Sequence, residues 1–423
     1  MTTTENSNGK KYLIVFICMI IQAIPFGVAQ NIQPLFVPYV INEFNFTLAS
    51  FSLIFTFGAI ASAVFSPFLG KLFSKINIKI LFIIGTVLSS LGFLGFGFAK
   101  TLPQFYILSA ISQIGCVLFS GLGVPYVINN WFPKKGRGKA LGLAFSGGSI
   151  GNIFLQQITS HMLASKGSSY SYVFFGLLSM IVSLPIILLV IRTPKPGELV
   201  EDIEVQENNS EKQTKTNQVV FEGLGAKLTI KNKFFWIFSV GYGIIAIAIS
   251  AMSTQYATYF TNDLHLSASL IGSLGSEFAI FCLIGNVVGG LLFDKIGTFK
   301  TMSIAGILAI ISPISLLTAH NIPSIAFVFS IAYGLNVYSY TLAPAFMVTD
   351  VFGKKESSVI LGIVSLLFAV GFALGSTLFG LITDNFGFQV AWISMLACVI
   401  VGYILLLTSI TVIKNQNKKS ILQ

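Results

Sequence analysis

Charge is what this chain has least of. Asp, Glu, Lys and Arg make up 9% of its 423 residues, against about a quarter in an ordinary soluble domain, too few to keep a folded surface in water. Histidine is scarcer still, with three residues, and the four cysteines (Cys18, Cys116, Cys282 and Cys398) show neither CxxC spacing nor a histidine companion. Neither a disulfide framework nor a zinc site is thereby indicated, and no metal or cofactor is expected. No G-x-x-x-x-G-K-[ST] loop is present to cradle ATP phosphates, and no HExxH pair, so this chain is read neither as an ATP-driven pump nor as an enzyme. The net charge of +10 comes from lysines in short runs between apolar segments. It forms no basic patch interleaved with aromatics, which argues against nucleic acid as a partner.

What the chain has in abundance is hydrocarbon: 54% apolar residues and a mean hydropathy of +0.84, the composition of a polytopic helical membrane protein. Apolar runs of about 20 residues, enough to cross a bilayer as helix, recur twelve times. They lie near 12–36, 48–70, 79–99, 104–128, 140–163, 170–192, 234–260, 266–292, 300–319, 323–348, 358–382 and 387–411. The first follows ten polar residues and is too long for a signal-peptide core, so the N-terminus is expected to be retained. With both termini cytoplasmic, all of the 25 basic residues except Lys100 and Lys166 fall on the inner side, the bias that sets membrane orientation. The chain therefore reads as a multi-pass protein of the cell inner (plasma) membrane, acting as a monomer with the lipid bilayer around it. Residues 193–232 carry seven of the fifteen acidic residues and read as a solvated cytoplasmic linker with a short interfacial helix near 224–232. This linker separates an N-terminal six-helix bundle, 1–192, from a C-terminal one, 233–423.

The bundles are copies of one another. A shift of 220 residues lays Gly70, Ser74, Lys75 and Asn77 on Gly290, Asp294, Lys295 and Gly297. The same shift lays Phe132, Lys134 and Lys135 on Phe352, Lys354 and Lys355, and Leu141, Gly142 and Gly151 on Leu361, Gly362 and Gly371. Paired bundles from one repeat, with a site between them near mid-membrane, are the architecture of alternating-access carriers. These residues resemble the major facilitator superfamily: Gly290, Asp294, Lys295 and Gly297 match its G-x-x-x-D-[RK]-x-G loop signature, while Ser74 and Asn77 depart from it. The run Trp131-Phe132-Pro133-Lys134-Lys135-Gly136-Arg137 and the Lys231-Asn232-Lys233-Phe234-Phe235-Trp236 segment resemble the monocarboxylate and oxalate/formate branch. That resemblance implies an all-α fold of twelve transmembrane helices and a small carboxylate as substrate. It also implies a gate in which Asp294 and Lys295 meet the start of span five near Arg137. The branch commonly carries an Arg in span eight, where this chain has Glu277.

Glu277 is the one charged residue that the span assignment places at membrane depth. A carboxylate there must be protonated, hydrated or matched by a cation, so it is the candidate proton-coupling residue. The alternative is a carboxyl that faces a water-filled cavity and hydrogen-bonds a Tyr or Asn. Candidate substrate contacts are the amides and phenols of spans one, four, five, seven and ten: Gln22, Gln30, Gln113, Tyr126, Asn152, Gln156, Tyr256, Tyr333 and Asn336. Gln33 shares a face with Gln22 and Gln30 and can equally sit at the outer interface. Each can also be helix-to-helix glue. The leading functional reading is a secondary transporter of a small organic solute, monocarboxylate-like, that alternates access and couples to protons through Glu277. The alternative is a proton-driven exporter of cationic or amphipathic compounds. A reporter fused after residue 210 should be cytoplasmic and one within 164–168 external; the reverse pattern, read by alkaline phosphatase and fluorescent fusions, would overturn the span count.

Overall fold

A computed structural model of the chain describes residues 2–132, 136–194, 225–353 and 355–421. Most of the acidic linker lies outside the described residues, as do Lys134, Lys135 and Lys354. Among the described residues all regular structure is helical. Eight helices are long and apolar enough to span a membrane. Three of them contain one non-helical residue, Gly167 (φ 80°), Gly297 (φ 76°) or Gly387 (φ 84°), at which one span ends and the next begins. Only glycine takes that left-handed geometry without strain. With the bent Pro323–Phe352 segment, the spans number twelve: α1 Gly9–Phe44, α2 Leu48–Leu72, α3 Ile78–Gly95, α4 Leu102–Trp131, α5 137–166, α6 168–190, α7 Lys233–Asn262, α8 268–296, α9 298–319, α10 Pro323–Phe352, α11 357–386 and α12 388–421. A short helix, Ala226–Lys231, precedes α7, where an interfacial helix was expected.

The first span runs eight residues beyond its expected end at 36. Pro34 sits in the first turn of a new helical segment beginning at Gln33, where proline's missing N–H costs nothing, so the chain resets at Ile32 and continues. Upstream, Pro25 lies inside a π-helical stretch, Gln22–Asn31, and α4 has a matching one at Val117–Gly123.

The repeat extends to the backbone. Apart from Gly297 and Gly353, every positive φ has a partner 220 residues away among the described residues: Asn45 with His265, Gly136 with Glu356, and Gly167 with Gly387. Thr47 and Ser267, again 220 apart, accept from the backbone of Ser50 and Leu270 as the N-caps of α2 and α8. Packing repeats as well. A β-carbon on Gly151 would stand 2.3 Å from the carbonyl oxygen of Ala23, and one on Gly371 would stand 2.0 Å from that of Gly243. Helices α1 and α5, and α7 and α11, therefore cross backbone against backbone, the close approach that small residues permit in lipid. Large apolar side chains such as Phe68 (62% exposed) and Val287 (67%) cover the outside, as hydrocarbon surroundings require. Gly151→Ala and Gly371→Ala should each cost about 1–3 kcal/mol through overpacking and lower the unfolding temperature in detergent. Gly142→Ala, whose β-carbon meets nothing within 4 Å, should leave it unchanged or raise it.

Candidate functional site

The halves are joined at the end of the molecule that carries the α1–α2 and α7–α8 turns. Asn42 Nδ2 donates to Asn262 Oδ1 at 3.1 Å, a residue hydrogen-bonded to its own repeat mate. Thr56 Oγ1 on α2 donates to the carbonyl of Ala373 on α11, and its mate Ser276 on α8 donates to the carbonyl of Ile153 on α5 at 2.6 Å. Amides tie the centre of the seam. Gln255 on α7 donates to Ser52 at 2.8 Å and to Ser376 at 2.7 Å, and Tyr256 OH donates to Gln156 Oε1 at 3.1 Å. Gln156 Nε2 in turn donates to the Asn31 carbonyl and to Asn152 Oδ1. In a membrane interior each of these bonds satisfies a group that water cannot reach.

A carboxylate clamp in the seam belongs to one half alone. Asp384, at the end of α11, accepts from the backbone N–H of Leu48 at 3.1 Å and of Ala49 at 2.8 Å. Thr47 takes the next two N–H groups through its side chain and its carbonyl, so the first turn of α2 is fully satisfied by two residues from opposite halves. The carboxylate also lies at the positive end of the α2 dipole. The position 220 residues earlier is Ala164, which cannot do the same for α8.

Beside this seam, between α1, α2, α4 and α11, lies a cavity of about 500 Å³. Gln30, Gln33 and Gln113 supply its amides, Ser62, Ser66, Ser109 and Ser112 its hydroxyls, and Phe55, Phe368 and Phe372 its apolar wall. Gln30 Nε2 donates to Gln113 Oε1. No Asp, Glu, Lys, Arg or His among the described residues lines it. Of the candidate contacts, Gln30 and Gln113 come together here. Asn152, Gln156 and Tyr256 come together in the seam instead. Gln22 is fully buried and accepts from Ser120 at 2.9 Å. Tyr333 donates to the Ile249 carbonyl at 2.9 Å between the stacked rings of Phe278 and Phe329, and Asn336 is buried at the break in α10. Tyr126 packs on Phe73, 5.1 Å between centroids, near the opposite end.

Glu277 is partly exposed, and its Oε2 is enclosed with no hydrogen-bond partner. It shares a stripe with exposed Ile280, Ile284, Val288 and Leu291, at i+3, i+7, i+11 and i+14. Its repeat mate Phe57 is likewise exposed on α2, stacked at 4.8 Å on Tyr106, on the face opposite Ala59, Ser62 and Ser66. Glu277 therefore points away from the amide-lined cavity, on the side of α8 that meets lipid. Asp294, Lys295 and Arg137 are all exposed, and no hydrogen bond or ion pair joins them among the described residues.

Two features escaped the sequence reading. Ser62 and Ser66 form a small polar stripe with Ala59 and Ala63 that helical periodicity could have revealed. Asp384 lies in Gly380-x-x-x-Asp384-x-x-Gly387, the same spacing as Gly290, Asp294 and Gly297.

Comparison with known proteins agrees with this architecture. The family model of the Major Facilitator Superfamily matches twice, over residues 15–262 and 238–421. An oxalate:formate antiporter of Oxalobacter formigenes is 25% identical over 398 residues, covering 91% of this chain and 88% of that protein. Among solved structures, a bacterial homolog of the human lysosomal transporter Spinster, inward-facing and unoccupied, superposes with a TM-score of 0.70 at 15% identity. That match covers 95% of this chain and 97% of that one. The nucleoside transporter NupG superposes at 0.71 and 15% identity, covering 95% and 98%. Asp384→Ala removes two charge-assisted bonds and should raise the labelling rate of a cysteine placed at Asn42 at least tenfold, relative to the same cysteine in the parent chain; an unchanged rate would show that the clamp does not hold this end shut.

Proposed function

The chain belongs to the Major Facilitator Superfamily, and from that premise we propose that it moves a small, monocarboxylate-like organic solute across the plasma membrane by alternating access. It is a multi-pass membrane protein and a solute transporter rather than an enzyme. The observation that carries the alternating-access reading is the contrast between the two ends. At the turn end, hydrogen bonds repeated about the twofold seal the halves, while Asp294 and Arg137 at the terminal end stand exposed and apart. In the complementary state the turn end would part and Asp294, with Lys295 beside it, would close on the start of α5 near Arg137, where the helix dipole favours a carboxylate. The transporting unit would be the monomer, with bundles 1–192 and 233–423 rocking about the linker and both termini cytoplasmic.

The similarity to an oxalate:formate antiporter supports the small carboxylate-like solute. Gln30 and Gln113 would contact it in the cavity. Asn152, Gln156 and Tyr256 would act as the part of the seam that breaks as the turn end opens, and Gln22, Tyr126, Tyr333 and Asn336 would shape the helices around them. An exporter of cations finds no acidic anchor on the cavity wall among the described residues.

Proton coupling through Glu277 is the second part of the proposal. Its support is the unpartnered oxygen at membrane depth, which needs a proton or a cation. The carboxyl would take up its proton from one side and release it to the other as α8 moves against α5. The test uses a solute that does not itself titrate, so that only a proton borne by the protein can couple. Glu277→Gln should reduce accumulation driven by a pH gradient in proteoliposomes at least tenfold and leave gradient-free exchange intact. Full accumulation by the Gln variant would place coupling elsewhere.

A further inference from the structure

We propose that the cavity takes an electroneutral solute whose polar end carries one hydrogen-bond donor and one acceptor side by side: a carboxamide or an undissociated carboxyl group. This rests on the transport reading above and narrows its substrate class. The bond from Gln30 to Gln113 uses only half of each amide. The carbonyl oxygen of Gln30 and the amino group of Gln113 make no hydrogen bond among the described residues, and both side chains are part-exposed on the cavity wall. The pair thus leaves one acceptor and one donor unbonded on the cavity wall. Turning both amides over exchanges the roles and leaves the same face.

A carboxamide or a protonated carboxyl satisfies both atoms at once. A carboxylate has acceptors only, so it would meet the amino group and set its charge against the carbonyl oxygen; an ammonium has the opposite fault. Neither ion finds a counterion, because the described residues lining the cavity are uncharged, and an ion taken from water without one is heavily penalised. Gln33, 6% exposed on the same wall, adds a second carbonyl oxygen enclosed without a partner, an acceptor again in want of a donor. The rings of Phe55, Phe368 and Phe372 leave the rest of the space to hydrocarbon.

The test measures binding of acids, primary amides and primary amines of matched two- to six-carbon skeletons to the purified full-length protein, by thermal shift and by competition. At pH 7.5 the best amide should bind at least tenfold more tightly than its carboxylate and its amine. The apparent affinity of the matching acid should rise about tenfold per pH unit lowered while the acid remains mostly ionised. Gln113→Leu should abolish the preference for the amide, and Gln30→Glu should shift it at least tenfold toward the amine, so that failure of one variant to fold leaves the other. Tighter binding of the carboxylate at pH 7.5, an unchanged preference in the folded variants, or no binding by any member would overturn the proposal. Proteoliposome flux separates the two levels: saturable exchange of a carboxylate insensitive to both variants leaves transport standing and removes the neutral-solute site, whereas no saturable flux of any member removes both.

Discussion

The arrangement of this molecule depends on how closely α1 meets α5 and α7 meets α11. Carbonyl oxygens of Met19 and Ala23 occupy the space where β-carbons on Gly147 and Gly151 would be, and those of Gly243 and Ile247 do so at Gly371 and Gly375. Lipid offers helices no hydrophobic reason to associate, so contact area of this kind, with the hydrogen bonds it permits, is what holds them. At the first crossing the approach fixes the register of Gln22–Asn31 on α5, where Asn31 Nδ2 donates to the Gly148 carbonyl. That register carries Gln30 to α4 and Gln113. The cavity is thus a consequence of a crossing several residues away, and a β-carbon there would disturb both.

The two halves share a backbone plan and differ in chemistry. Hydroxyl-to-carbonyl bonds from Thr56 and Ser276 are true mates, because either hydroxyl serves the equivalent carbonyl of the other half. The cavity amides have no such counterparts: Gln30 corresponds to Ser250 and Gln113 to Tyr333. Tyr333 turns its hydroxyl onto a backbone carbonyl instead of into open space. One half therefore supplies the polar wall, and the other closes it with the rings of α11.

Much of this was legible in the chain itself. Apolar run length gave the spans, because hydrocarbon thickness fixes helix length, and the 220-residue shift found at three separated places reappears in positive-φ residues, caps and crossings. The meeting of Gln30 with Gln113 was within reach of the expectation that amides in spans one and four face a common space. Three things were not legible. The first span was expected to end near 36, whereas the break at Ile32 lets Pro34 open a further helical segment that runs to Phe44. The face on which Glu277 lies depends on where α5 and α10 touch α8, which spacing along one helix cannot say. Asp384 reads as an ordinary loop acid until folding sets the start of α2 beside it, against Gly380.

The uncharged cavity wall has an electrical consequence. A unit charge carried through 100 mV changes its energy by about 2.3 kcal/mol, so a binding site with fixed ions feels the membrane voltage each time it changes sides. Here the described residues around the cavity hold no ion, and with the neutral occupant proposed above the field would find nothing in the site to push. Any voltage dependence of the proposed cycle would then enter through groups outside the cavity, which would leave occupancy and membrane potential as separate controls on the same carrier.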